Sequence, residues 1–142
     1  MANTVHWADI DVGHELRPLQ LTLTSEQVRR YAVVAHMPGG RFMSDEDARQ
    51  EGLPGQIVPG NMSLALFSRL IQESLPGATL KRLGATFRGL VRPGVAIAVS
   101  GVVTEKHCTD HGDILECDLV LESADGDRWV TGTASMQLPT RD

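Results

Sequence analysis

Cysteine is scarce, basic runs are absent and no apolar stretch is long. The 142 residues hold two cysteines, Cys108 and Cys117, so no disulfide framework staples a small secreted fold. Net charge is −5 with no basic run. That argues against nucleic acid as the main partner, because phosphate binding needs clustered cations. No apolar stretch is long enough to span a bilayer, so no membrane partner is expected. The opening MANTVHWADIDVG has no basic stretch followed by an apolar one; a signal peptide is therefore not expected, and the expected location is cytoplasmic. What is present is ordinary for a globular domain, with 42% hydrophobic and 22% charged residues. The length favours a single domain over 1–142.

Periodicity places the elements. Leu19, Leu21 and Leu23 alternate with polar residues and predict a strand within Leu16 to Leu23. Thr24-Ser-Glu-Gln27 fits a capping box, and Val28, Tyr31, Ala32 and Ala35 continue it as a helix. Pro38-Gly39-Gly40 ends any helix. Ser44 suits an N-cap, with Asp45, Glu46 and Asp47 in the first turn and Gly52 at the C′ position. Asn61 to Leu75 is helical and apolar almost all round in its first two turns, so protein is expected to surround it. Pro76-Gly77 stops it. The rest alternates as strands, with turns at Arg92-Pro-Gly94, His111-Gly-Asp113 and Asp125-Gly126.

The order is strand, helices, one buried helix, then four strands expected as a meander. Antiparallel strands with one apolar face need a cover, and the buried helix is the element large enough. The expected class is α+β, a curved five-stranded antiparallel sheet wrapped around one long helix, which is the hotdog architecture.

Several segments resemble the MaoC-like (R)-specific enoyl-CoA hydratases and 3-hydroxyacyl dehydratases. They are Val12-Gly13-His-Glu-Leu16, Leu23-Thr-x-x-Gln-Val-x-Arg-Tyr31-Ala32, Asp45-Glu-x-Ala48-Arg-x-x-Gly52-Leu-Pro-Gly, Ile57-x-Pro-Gly60-x-Met62 and Arg88-x-x-x-x-Pro93-Gly94. Their order and spacing carry the resemblance. It implies a substrate held as a thioester of coenzyme A or acyl carrier protein, with no further cofactor. It implies reversible hydration of a trans-2-enoyl group, and a homodimer or a heterodimeric hotdog pair with the acyl tunnel at the interface. Lys81, Arg82, Arg88 and Arg92 are available as a basic patch for an acidic carrier.

The family's catalytic loop resembles Gly-Asp-x-Asn-Pro-x-His, in which Asp and His activate a water as paired acid and base. Laid without gaps on His36-Met37-Pro38-Gly39-Gly40-Arg41-Phe42, the Asp position holds Met37, the Asn position Gly39 and the His position Phe42. Met and Phe move no protons, so the family mechanism does not run on these residues. The resemblance makes Gly60 the backbone donor to the thioester carbonyl, since free N–H groups at a helix start stabilise developing negative charge. Asn61 is either a substrate contact or a first-turn residue.

His36 is the replacement candidate for a catalytic base, against a surface histidine at a helix C-terminus. Arg41 is a candidate for a carboxylate or carrier phosphate, against a solvated loop arginine; Met37 and Phe42 are expected to line the substrate. Asp45, Glu46 and Asp47 read as helix-start charges, and Glu73 as a surface residue near the helix end. His107, Cys108, His111 and Cys117 gather near one hairpin, but their spacing matches no standard zinc pattern, so no metal is expected. A Cys108–Cys117 bridge across that hairpin is allowed by spacing and disfavoured in a reducing compartment.

Three functions follow. The first is an acyl-thioester enzyme of hydratase or dehydratase type with a rebuilt acid/base set. The second is a non-catalytic subunit that pairs with an active hotdog chain. The third is a hotdog thioesterase, which lacks a mid-helix carboxylate here. The length, glycines, His36 and Arg41 retained in the loop place the first narrowly ahead.

Overall fold

In the computed structural model, residues 3–140 are described. A short 3-10 turn at Trp7–Asp9 precedes strand β1 (Leu19–Thr22) and helix α1 (Ser25–Val34). A second 3-10 turn, Gly40–Phe42, leads to the short helix α2 (Asp45–Gln50) and the long helix α3 (Gly60–Ser74). Strands β2 (Thr79–Phe87), β3 (Ala96–Thr109), β4 (Gly112–Ser123) and β5 (Arg128–Leu138) complete the chain.

The five strands form one antiparallel sheet in the order β1-β3-β4-β5-β2. Its inner face lies on α3, the hotdog arrangement. Ser63, Leu66, Phe67, Leu70 and Ile71 are the buried stripe of α3, at the spacing that puts side chains on one helical face. Leu115, Cys117, Leu119 and Leu121 are buried on β4 at every second residue, as the strand period requires. Gly132 of β5 lets the helix sit close: a Cβ there would stand 3.2 Å from the Phe67 ring. Fully burying a side chain such as Phe67 or Leu70 contributes about 1.5–3 kcal/mol, so this stripe supplies much of the cohesion between the two layers.

The expected meander holds only for β3, β4 and β5. β2 pairs with β5 at the far edge, and β3 lies between β4 and β1. The cause is in residues 88–95, too long a connection for a tight hairpin. This segment is tied elsewhere, with Val58 N–H donating to Val91 O at 2.8 Å and Gly94 N–H to Leu23 O at 2.8 Å. It therefore runs across the start of α3 and crosses to the other side of the sheet. The first strand is also shorter than expected: beyond β1, Glu15 makes only an isolated bridge to Val102. Trp7 anchors the N-terminal segment, its indole N–H donating to Ile114 O at 3.0 Å and the Lys106 ammonium lying 3.9 Å from its ring centre.

Candidate functional site

The loop begins where α1 ends. Thr24 and Gln27 start that helix as a reciprocal capping box, with bonds of 3.1 and 2.8 Å. At the other end Met37 N–H donates to Ala32 O at 2.9 Å and His36 N–H to Val33 O at 3.2 Å. This pair of bonds is a Schellman ending, whose C′ residue takes the left-handed conformation. That residue is His36, with φ 54°, the one non-glycine residue with positive φ among the described residues. Glycine is the usual occupant, because a Cβ is strained there. The His36 side chain is exposed.

Past the helix, Met37 is half-buried and Phe42 is buried, 8% exposed. Arg41 folds back over the neighbouring Phe42 ring, 5.6 Å from its centre, and pairs with Glu51 at 3.3 Å. Gly39 makes room for it: its φ is 128°, and a Cβ would stand 3.2 Å from Arg41 Nε. The cation is thus already matched by an acid within the same segment, with both side chains partly in solvent.

Gln56 holds the loop from beneath. It is 2% exposed. Its side-chain amide donates to Phe42 O at 2.9 Å and Ser25 O at 3.2 Å, and its carbonyl accepts from the Ser25 hydroxyl. Arg29 donates to Ser25 Oγ at 2.7 Å and reaches Met43 O at 3.4 Å. Gln56 N–H donates to Asp45 Oδ1 at 2.8 Å. The sequence reading did not single out Gln56, Arg29 or Ser25. One signal was present: a lone amide side chain between the Pro54-Gly55 breaker and the apolar Ile57-Val58 pair, in a segment with no periodic structure to absorb it.

Gly60 and Asn61 open α3 as expected. Pro59 is the N-cap, with no side-chain cap bond and no acid in the first turn. Neither the Gly60 nor the Asn61 amide finds an acceptor among the described residues. Two free donors and the positive end of a 15-residue helix suit a carbonyl oxygen that gains negative charge. The ring of Phe87 lies over Gly60, so that a Cβ there would stand 3.0 Å from its Cζ. Glycine is what allows that approach.

A family model described as "MaoC like domain" matches residues 10–117. The chain belongs to the MaoC-like domain family. A curated relative, the mitochondrial 3-hydroxyacyl-[acyl-carrier-protein] dehydratase of Arabidopsis thaliana, is 31% identical over 85 residues. That match takes in 60% of this chain and 51% of the relative, about half its length. Among solved structures, R-hydratase PhaJ1 from Pseudomonas aeruginosa superposes with a TM-score of 0.86 at 19% identity, covering 97% of this chain and 88% of that one. A chain of the ChsH1-ChsH2 complex from Mycobacterium tuberculosis gives 0.80 at 19% identity, covering 91% and 98%.

In this MaoC-like domain the remaining candidates separate from the loop. Glu73 is exposed and paired with Arg69 at 2.9 Å, one turn away on the helix. Asp45, Glu46 and Asp47 are exposed at the start of α2, where Ser44 Oγ caps Asp47 N–H at 3.1 Å. A Cys108–Cys117 bridge is excluded by register: Cys108 stands opposite Asp113, and Cys117 opposite Val103. Cys117 faces the core, and burial pushes its thiol up to about 12. Cys108 is exposed, its thiol raised by a hydrogen bond with Asp113. A hollow of about 630 Å³ lies across the sheet among Thr86, Ser100, Asp118 and Thr131, and none of its lining residues belongs to the 35–62 segment.

Proposed function

We propose that this MaoC-like chain is the non-catalytic half of a two-chain hotdog pair acting on an acyl thioester of coenzyme A or acyl carrier protein. Its role is to hold the thioester carbonyl at Gly60 and Asn61 and to supply one wall of the acyl channel, with Met37 and Phe42 as apolar lining. The water-activating acid and base come from the partner chain. Hydration of a 2-enoyl group, or in reverse dehydration of a 3-hydroxyacyl group, is the reaction of the pair.

The observation that carries this reading is Phe42. An aromatic ring, buried and tied through its own carbonyl to Gln56, stands where the resemblance puts a histidine base. Met37 stands at the acid's position, and neither side chain carries a titratable proton. The free Gly60 and Asn61 amides support retained carbonyl binding. A neighbour of this fold is named as part of a complex of two components, ChsH1 and ChsH2, which supports a two-chain reading. The dehydratase name of the Arabidopsis relative supports the reaction class.

The test is crotonyl-CoA hydration by the purified chain. No turnover, with butyryl-CoA still raising the melting temperature and Gly60→Val abolishing that rise, is the expected outcome. Turnover by the chain alone contradicts the proposal.

A second reading, a rebuilt enzyme using His36 as base, draws on one observation: a histidine is kept in a left-handed backbone position where glycine costs less. It requires turnover by the chain alone that His36→Ala removes. Arg41 would then bind a carboxylate or carrier phosphate by releasing Glu51. A thioesterase reading finds no support on α3, where the acid present is the exposed, ion-paired Glu73.

A further inference from the structure

We infer that the free edge of β2 selects against a second copy of this chain and fits a different hotdog chain that presents an acidic strand edge. The inference rests on the two-chain reading above. β2 is hydrogen-bonded to β5 on one side and has no strand on the other among the described residues. Such an edge is a template for strand addition. Leu80, Phe87 and Leu90, 37%, 51% and 41% exposed, lie on it or just past its end. Large apolar groups beside free backbone donors and acceptors fit a strand-to-strand seam better than contact by charge alone.

The charges give the seam its sign. From Thr79 to Arg88 the edge carries Lys81, Arg82 and Arg88 and no acid, in a chain whose net charge is −5. All three are exposed. Glu116 of β4 lies 3.6 Å from Arg82 and offsets it in part. Lys81 and Arg88 have no acid within ion-pair distance among the described residues.

Self-pairing would press these charges together. Arg82 and Arg88 lean over the same face of the sheet, donating to Thr133 Oγ1 at 3.1 Å and to Thr131 Oγ1 at 3.3 Å. In an antiparallel seam of two copies centred on Ala85, each Arg82 stands opposite the other copy's Arg88. A slide of two residues either way leaves them diagonal neighbours, and a slide of one turns the apolar side chains to the wrong face. Like charges in these places destabilise the seam, and acids on a different chain stabilise it. The register shift between Leu80 and Arg82 works the same way, since a bulge discourages indiscriminate edge pairing.

Two measurements on the full chain test this. The first is sedimentation of the wild type across salt concentrations; weak self-association that strengthens with added salt is expected. The second is native mass spectrometry of wild type mixed with the Lys81→Glu/Arg82→Glu/Arg88→Glu variant, which reverses both members of the Arg82–Arg88 pair. Mixed dimers at least about tenfold tighter than either self-pair are expected, from several like-charge pairs becoming opposite-charge pairs. A tight wild-type dimer that ignores or weakens with salt overturns the inference, and this result needs no variant. Absence of mixed dimers with a variant that melts cooperatively also overturns it. So does an acidic acyl carrier protein that binds the wild type while no mixed dimer forms, because the charges then serve carrier docking. None of these readouts involves turnover, so failure here is distinct from failure of the proposed function.

Discussion

Replacing His36 by glycine should make the protein more stable. His36 closes α1 at φ 54°, where a Cβ costs roughly 1–2 kcal/mol. The Schellman bonds from His36 N–H to Val33 O and from Met37 N–H to Ala32 O use backbone atoms alone, so glycine keeps both. The side chain is exposed and makes no hydrogen bond or ion pair among the described residues, so little contact energy is lost. Against the relieved strain stands the larger conformational freedom of glycine in the unfolded chain, about 0.4–1 kcal/mol. The net expectation is a gain of about 0.5–1 kcal/mol. For a chain near this length that is a rise of roughly 2–4 °C in melting temperature, read by circular dichroism. His36→Ala keeps the strained Cβ and should not show the rise. A glycine variant less stable than wild type by 1 kcal/mol or more would refute the reasoning, because the side chain must then make a stabilising contact. The pair of variants also bears on the rebuilt-enzyme reading: a stabilised glycine variant that loses turnover would mark His36 as kept for chemistry.

Gln56→Ala should cost about 2–4 kcal/mol in urea denaturation, because it leaves the Phe42 and Ser25 carbonyls without their amide donor in a buried place. Amide exchange should quicken between Arg41 and Ser44, and unchanged exchange there would remove Gln56 as the loop's tether. Gly60→Val should push atoms into the Phe87 ring, 3.0 Å from a Cβ at that position, and cost about 1–3 kcal/mol together with acyl-CoA binding. Binding that survives with the ring displaced would remove Gly60 from the site. Cys117 makes stability fall in alkali. Its folded-state value, about 12, lies above the ordinary 9.0, so the neutral thiol favours the fold fully below pH 9, and this contribution is lost as pH rises from 9 toward 12. The slope approaches about 1.4 kcal/mol per pH unit. Cys117→Ala, compared with wild type over that range, should lack this part of the slope; identical slopes would contradict the assignment.

Most of the fold was legible because its signals are local. The Thr24-Gln27 box, the Ser44 cap, the breaker pairs and the apolar run of α3 each specify their own element, and the structure has them in place. Strand order was not legible in the same way. Whether β2 pairs with β3 or β5 depends on where residues 88–95 are tied, and their partners, Val58 and Leu23, lie far off in sequence. The candidate site divides likewise. Gly60 at a helix start and His36 at a helix end follow from local pattern. The Gln56-Ser25-Arg29 network does not, because it joins the start of α1 to a loop across 31 residues. Nor does the Arg41–Glu51 pair, which takes up the cation that looked free in the sequence. Phe87 shows the remaining difficulty: on an edge strand it is half-exposed and lies over Gly60, a contact that nothing local to its own strand specifies.

The most direct measurement of the central claim is the rate of crotonyl-CoA hydration by the purified chain alone, taken beside its thermal shift with butyryl-CoA. Uncatalysed background, with a shift that Gly60→Val abolishes, is the result expected of a chain that holds the carbonyl and leaves proton transfer to its partner. Hydration well above background by this chain, lost in His36→Ala, would contradict it.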